Sequence, residues 1–190
     1  MTNSSELQNL GHFVPASELS PSVGDLIEID RTLYAHWALY VGDGRVVHVV
    51  GSNEEDIPTD WALVQKSSLA QVAGCSRVRV NNKSVRAKER GMKSLDKDAV
   101  VQRALEQLDK KVEFNVLMRN AEFYVTQWKY GHGWSDQAAI ALSVMKSLGE
   151  DLKLGHNTFL TGLQAVFGGP LISCKATKGA PQQSNPVSAT

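Results

Sequence analysis

Apolar and polar residues alternate along the first part of the chain, and this pattern predicts short β-strands. Three runs, at residues 25–30, 37–42 and 45–50, are rich in β-branched and aromatic side chains and are bounded by glycine and aspartate. Asp43 and Gly44 separate the last two runs, and this dipeptide is typical of a tight hairpin turn. The sequence therefore predicts a strand followed by a hairpin.

The pattern weakens after the hairpin. Residues 51–74 carry charges and Pro58 without a clear period, so they predict a loop with a short helical piece. Val78 and Val80 alternate with polar residues, which predicts a half-buried strand. Residues 111–117 are a further strand candidate.

Three helices are predicted in the second half of the chain, and the last is an amphipathic helix from Ser135 with apolar positions at Ile140, Val144 and Leu148. The first starts at Asp96, which we expect to cap it. Its apolar positions recur at helical spacing: Val101, Ala104, Leu105 and Leu108. The second has Asn120 as its N-terminal cap and Gly131 as its terminator, with Tyr124 and Trp128 one turn apart.

The length of 190 residues fits one domain with tails. We expect a flexible N-terminal arm at residues 1–20 and a folded domain at residues 21–137. An amphipathic and hydrophobic extension is expected at residues 138–174, and a disordered tail at residues 175–190.

Charge and cysteine content narrow the class of protein. The 20 basic and 20 acidic residues give no excess positive charge, which argues against a nucleic-acid partner. The first residues lack a basic cluster followed by an apolar run, so we expect a cytoplasmic protein. Cys75 and Cys174 form no recognisable disulfide or metal-ligand pattern, and we expect both to be reduced thiols.

The start of the helix after Asn120 is the chemically informative position. A helix N-terminus supplies partial positive charge and unpaired N–H groups, which can activate a thiol and stabilise an oxyanion. The residue there is Ala121, which has no nucleophilic atom. His36 and His48, from the two strands of the hairpin, could supply a base and its orienting partner.

The hairpin geometry sets a condition on this pair. A plain two-residue turn at Asp43 and Gly44 would point His36 and His48 to opposite faces of the sheet. A bulge or a three-residue loop is needed to bring them together, and Gly42 and Gly44 make such a bulge easy. Alternatively, each histidine is an ordinary structural residue, a role that we also assign to Trp37, Tyr40 and Trp128.

Three blocks of sequence resemble the lecithin retinol acyltransferase-like family: GDLIEIDRTLYAHWALYVGDGRVVHV, VRVNNK and RNAEFYVTQWKYG. The branch that they resemble is that of the H-Ras-like suppressor phospholipases and acyltransferases. The resemblance implies an α+β, circularly permuted papain-like fold, with an antiparallel sheet of four to six strands packed against helices and a C-terminal helical extension. It also implies acyl transfer from a glycerophospholipid through a cysteine thioester to water or an amine.

The resemblance also implies residue roles. His36 matches the general base, His48 its orienting partner, and position 121 the nucleophile within Asn-Cys-Glu-His-Phe, which reads Asn-Ala-Glu-Phe-Tyr here. Ala121 and Phe123 are the two departures, and the first should reduce acyl transfer to background. Further candidates for substrate or oxyanion contacts are Arg31, Tyr34, Asn120 and Glu122. The implied mechanism needs no metal or other cofactor.

Two functions remain open. One is a phospholipase A1/A2-type hydrolase and acyltransferase that is inactive because its nucleophile has been replaced. The other is a natural non-catalytic relative that binds lipid or a protein partner, for which a viral origin is open. The expected partner is a glycerophospholipid or a membrane surface, or else a protein that binds the C-terminal segment. Residues 157–174 are uncharged but include Gln164 and a Gly-Gly-Pro break, so we expect peripheral or buried packing and not a membrane span.

Overall fold

The computed structural model describes residues 10–58 and 60–137. Its strands are β1 (Leu26–Asp30), β2 (Ala35–Gly42), β3 (Arg45–Val50), β4 (Trp61–Ser68), β5 (Val78–Val80) and β6 (Lys111–Glu113). Its α-helices are α1 (Leu69–Ala73), α2 (Ser84–Glu89), α3 (Lys97–Leu105) and α4 (Ala121–Tyr130), preceded by a 3-10 turn at Ala16–Glu18. The strands form one antiparallel sheet in the order β5-β1-β2-β3-β4-β6.

The β2–β3 hairpin contains the bulge that the sequence analysis required. Asp43 and Gly44 form the turn with φ values of 50° and 66°. The register then shifts on β2 between Tyr40 and Gly42, so Val41 is an extra residue. Because of this shift, Ala38 lies opposite His48 and the two histidines share a face of the sheet.

The two faces of the sheet pack against different helices. We call them the α4 face and the α1 face. The α4 face is covered by α3 and α4, and its buried strand residues are Leu26, Trp37, Leu39, Val47, Val49, Ala62 and Val64. The α1 face is covered by α1, and its buried strand residues are Ile27, Ile29, Ala38, Val46 and Val78. This division is the alternation expected of a sheet that is buried on both sides.

Helix α4 begins and ends where the sequence predicts. The side chain of Asn120 accepts a hydrogen bond from the backbone N–H of Phe123, and Gly131 ends the helix in the left-handed conformation at φ 80°. The face formed by Ala121, Tyr124, Val125 and Trp128 packs into the core. The prediction for α3 is only partly right, because Asp96 occupies the cap position but its side chain makes no capping hydrogen bond.

Two segments differ from the predictions made from the sequence. Within residues 51–74, predicted as a loop with a helical piece, Trp61–Ser68 form the long strand β4. Ala62 and Val64 are buried there, and pairing with β3 and β6 stabilises the strand. Its polar residues made the strand pattern hard to recognise in the sequence. Helix α2 was not predicted, and the strand expected at residues 111–117 ends at Glu113.

The expected N-terminal arm is described from residue 10 onward, and that part lies against β5. Gly11 donates a backbone hydrogen bond to Val80, and Val14 exchanges two with Val78. Residues 138–190, which include the expected extension and tail, lie outside the described residues. In the part of the chain that the structure describes, no helix has both the length and the apolar composition needed to cross a bilayer.

Candidate active site

The structure brings His36 and His48 into direct contact. His36 is the second residue of β2, and His48 lies on β3 one diagonal step away. Nε2 of His36 is 3.1 Å from Nδ1 of His48, and the two rings are nearly perpendicular. The side chains are 1% and 5% exposed, so this is a buried imidazole pair.

The second nitrogen of His36 faces Asp56, in the loop between β3 and β4. Oδ1 of Asp56 is 3.5 Å from Nδ1 of His36, which is too long for a good hydrogen bond but short enough for a strong electrostatic contact. The other carboxylate oxygen accepts hydrogen bonds from Nε of Arg31 at 2.7 Å and from the hydroxyl of Tyr34 at 3.1 Å. Arg31 and Tyr34, both substrate candidates from the sequence, therefore hold Asp56 beside the imidazole pair.

Arg31 is further tied to the end of α1. Its guanidinium donates to the backbone oxygens of Val72 and Ala73 at 2.7 and 2.9 Å and to Oγ of Ser76 at 2.8 Å. This arginine therefore has its hydrogen-bonding groups engaged within the protein. At the opposite end of the cluster, Nε2 of His48 lies 3.3 Å from Oγ of Ser67 on β4.

Burial determines the charge of this cluster. Burial lowers the pKa of His36, and burial together with the neighbouring His36 lowers the pKa of His48 to about 3. Burial alone would raise the pKa of Asp56, but His36 and the Arg31 guanidinium hold it below its ordinary value. Burial and the Asp56 carboxylate raise the pKa of Tyr34. At neutral pH the site therefore contains two uncharged imidazoles beside one ionised carboxylate.

Position 121 does not share this environment. Ala121 is in the first turn of α4, is 5% exposed and packs in the core on the α4 face. His36 and His48 alternate with residues of that face, so their side chains point to the α1 face. The sequence-based prediction that position 121 works together with His36 and His48 therefore stays a prediction.

The first turn of α4 is nevertheless linked to the start of β2. The Glu122 carboxylate, fully buried, lies 2.5 Å from Nζ of Lys83 and accepts from Oγ of Ser135 and the backbone N–H of Gln137. The Gln137 side chain pairs with the backbone N–H and carbonyl of Ala35, the residue before His36. Glu122, a substrate candidate from the sequence, is thus held within an ion pair.

A cavity of about 420 Å³ adjoins this turn. Its walls include Trp37, Lys83 and Glu122, together with Leu33, which is 66% exposed. The cavity reaches the first turn of α4 through Glu122, and neither Ala121 nor the imidazole pair lines it. Asn120, the remaining candidate, caps α4 and donates from its amide to Val116 and Ser135.

Cys75 supplies no thiol at this helix start. Cys75 follows α1 and is disulfide-bonded, so the prediction that it is a reduced thiol is wrong. Cys174 lies outside the described residues.

Three residues that complete these clusters were not identified from the sequence: Asp56, Ser67 and Lys83. Asp56 lies in an acidic loop whose spacing to the histidines is not diagnostic, and Ser67 lies on the strand that was misread as a loop. Lys83 follows β5 in one of the resemblance blocks, which was the only available signal.

The lecithin retinol acyltransferase family model matches residues 19–133, which is more than half of the chain. The chain belongs to the lecithin retinol acyltransferase family. The match contains both histidines and the first turn of α4. The predicted α+β fold class is confirmed, since the antiparallel sheet and its helices are those of this papain-like fold.

Curated relatives in this family are phospholipase A and acyltransferase proteins. Human phospholipase A and acyltransferase 3 is 39% identical over 126 residues, which cover 62% of this chain and 75% of the relative. The orangutan (Pongo abelii) protein of the same name is 36% identical over 141 residues, covering 70% and 85%. Human phospholipase A and acyltransferase 2 is 37% identical over 134 residues, covering 66% and 80%.

Proposed function

We propose that this protein is a catalytically silent member of the H-Ras-like suppressor branch, a phospholipase A and acyltransferase fold that engages glycerophospholipids without transferring their acyl chains. We place it in the cytoplasm, at the surface of membranes. The names of its relatives and their identity of more than 30% support the lipid substrate class.

The observation that carries the proposal is the methyl group at position 121. Ala121 is the first residue of α4, at the place where helix N–H groups could activate a thiol. A thioester cannot form on a methyl group, and removing a covalent nucleophile costs on the order of a million-fold in rate. We therefore expect acyl release by this chain to stay at background.

The experiment compares the unchanged chain with the variant Ala121→Cys on phosphatidylcholine vesicles, with released fatty acid and lysophospholipid as the readout. The unchanged chain should release no more than buffer does. Ala121→Ser is the matched control, because it adds a similar small polar atom without a thiol. Turnover by the unchanged chain would overturn the proposal.

The imidazole pair favours the view that this is an enzyme silenced at one position. His36 and His48 keep a 3.1 Å contact in a buried site, which is the arrangement a base and its orienting partner require. If that view is right, Ala121→Cys gains acyl release that iodoacetamide abolishes. His36 then acts as the general base, and a further His36→Asn change removes the gain.

A second candidate is a natural non-catalytic module that binds lipid or a protein partner. The observation that favours it is the packing of Ala121 on the α4 face, away from the side to which the imidazoles point. Phe123, where the family pattern has histidine, is half-buried and stacks edge-on against Tyr124. A folded Ala121→Cys protein that binds phosphatidylcholine vesicles but shows no thiol-dependent turnover would favour this module.

A further inference from the structure

We propose that Asp56 sets the direction of the imidazole pair, so that its proton-accepting nitrogen is Nε2 of His48, directed at Ser67, and not Nδ1 of His36. Asp56 is therefore a positioning residue that acts through His36. The inference deepens the proposed function, on which it rests for the identity of the site.

The first step is the fixed position of Asp56. Its Oδ2 accepts from Arg31 and Tyr34, and Arg31 is itself held by the end of α1. Oδ1 is left facing His36 at 3.5 Å. An ionised carboxylate has only acceptor positions, so it presents negative charge and no proton to the ring.

The second step is the proton on His36. A neutral imidazole has one N–H and one lone pair. A lone pair on Nδ1 would face the negative charge of Asp56, whereas an N–H there is attracted to it. His36 therefore carries its proton on Nδ1, which leaves the lone pair on Nε2.

The third step follows from the contact between the two rings. A hydrogen bond at 3.1 Å needs one donor and one acceptor, and Nε2 of His36 is the acceptor. Nδ1 of His48 must then be the donor, which leaves the lone pair of His48 on Nε2. That nitrogen lies 3.3 Å from Oγ of Ser67, whose hydroxyl donates to it.

The direction of the pair can be read in the wild-type protein by NMR. With ¹⁵N-labelled histidine, two-bond ¹H–¹⁵N spectra at neutral pH distinguish protonated from unprotonated ring nitrogens. We expect both buried rings to have a protonated Nδ1 and an unprotonated Nε2. A protonated Nε2 in either ring would overturn the inference, and this measurement needs no variant.

The variant Asp56→Asn provides the sharpest second test. Arg31 and Tyr34 both donate toward the former Oδ2, so the amide oxygen takes that place and the amide NH₂ faces His36. Nδ1 of His36 must then accept, and the protonated nitrogen should move from Nδ1 to Nε2 in both rings. Unchanged ring spectra in a folded Asp56→Asn protein would contradict the proposal.

Ser67→Ala is the matched control. It removes the weaker contact at the far end of the pair, so the tautomers of both rings should remain those of the wild type. A tautomer change in Ser67→Ala would show that Ser67 sets the direction, and would refute the role of Asp56. Acyl release by the unchanged chain is a separate outcome, which refutes the silence of the site whatever the tautomers are.

Discussion

Two buried polar clusters lie on opposite faces of the sheet. One offsets the cost of burying a charge with an ion pair, and the other keeps its histidines uncharged. On the α4 face, the Glu122 carboxylate is matched by the Lys83 ammonium. On the α1 face, His36 and His48 avoid charge, because burial lowers the pKa of both. The first cluster anchors the start of α4, whereas the second keeps two neutral rings that are able to exchange a proton.

The two clusters differ in how fully their buried polar atoms are paired. Lys83 also reaches Asp136 at 2.7 Å, so one cation joins the first turn of α4 to the segment that follows it. Nδ1 of His36, by contrast, is buried without a hydrogen bond of ordinary length. An unsatisfied buried group is costly, and such groups concentrate where function requires them.

The largest effect is expected from Lys83→Ala, which leaves the Glu122 carboxylate buried without its cation. Breaking a buried ion pair in this way costs about 3–5 kcal/mol. The free energy of unfolding in urea should fall by that amount. Lys93→Ala is the control, because Lys93 is exposed, and its effect should stay within about 0.5 kcal/mol. Equal losses in the two variants would contradict the anchoring role.

The second prediction concerns pH and the histidine cluster. The folded-state pKa of His48 is about 3, below its ordinary value of 6.5, so the unfolded chain binds more protons than the folded chain below about pH 6.5. The stability that comes from keeping His48 neutral is fully present above pH 6.5 and is lost as pH falls toward 3. The slope is about 1.4 kcal/mol per pH unit for one such histidine.

Urea unfolding between pH 7.5 and pH 4.5 measures this slope. His36 contributes in the same direction, because its pKa is also lowered. His48→Asn should flatten the curve, whereas replacing the exposed His132 by asparagine should leave it unchanged. A His48→Asn curve as steep as that of the wild type would show that the ring does not carry the dependence.

The smallest expected effect is a difference between the N-terminal caps of α3 and α4, the two helices that cover the α4 face. Asn120→Ala removes the side-chain cap of α4 and should lower the free energy of unfolding by about 1–2 kcal/mol. Asp96→Ala should cost less than about 0.5 kcal/mol, because Asp96 makes no capping hydrogen bond in α3. Thermal unfolding of the two variants measures both losses of stability. A larger loss in Asp96→Ala than in Asn120→Ala would contradict this prediction.

Local signals in the sequence were enough for several elements. The hairpin turn, the bulge beside Gly42 and the cap at Asn120 depend on residues close to one another in the chain, so their chemistry can be read directly. Strand β4 could not be read in this way. Its charged neighbours and Pro58 suggest a loop, and only pairing with β3 and β6 shows that Trp61–Ser68 are extended.

The residues of the candidate site also divide into those that the sequence indicated and those that it did not. The sequence indicated His36, His48 and position 121, and it showed that a bulge or a three-residue loop is needed to put the two rings on one face. It did not indicate Asp56 or Lys83, because the partners of a buried charge come from distant loops that carry no spacing signal.

The sequence by itself determined the family, the order of the hairpin and helix α4, and the absence of a nucleophile at Ala121. All of these depend on residue identity or on neighbours within a few positions. Only the tertiary structure decided which face each group occupies and which charges meet there. A side chain's face depends on strand register and its charge on burial, and both are set by contacts between segments that are far apart in the chain.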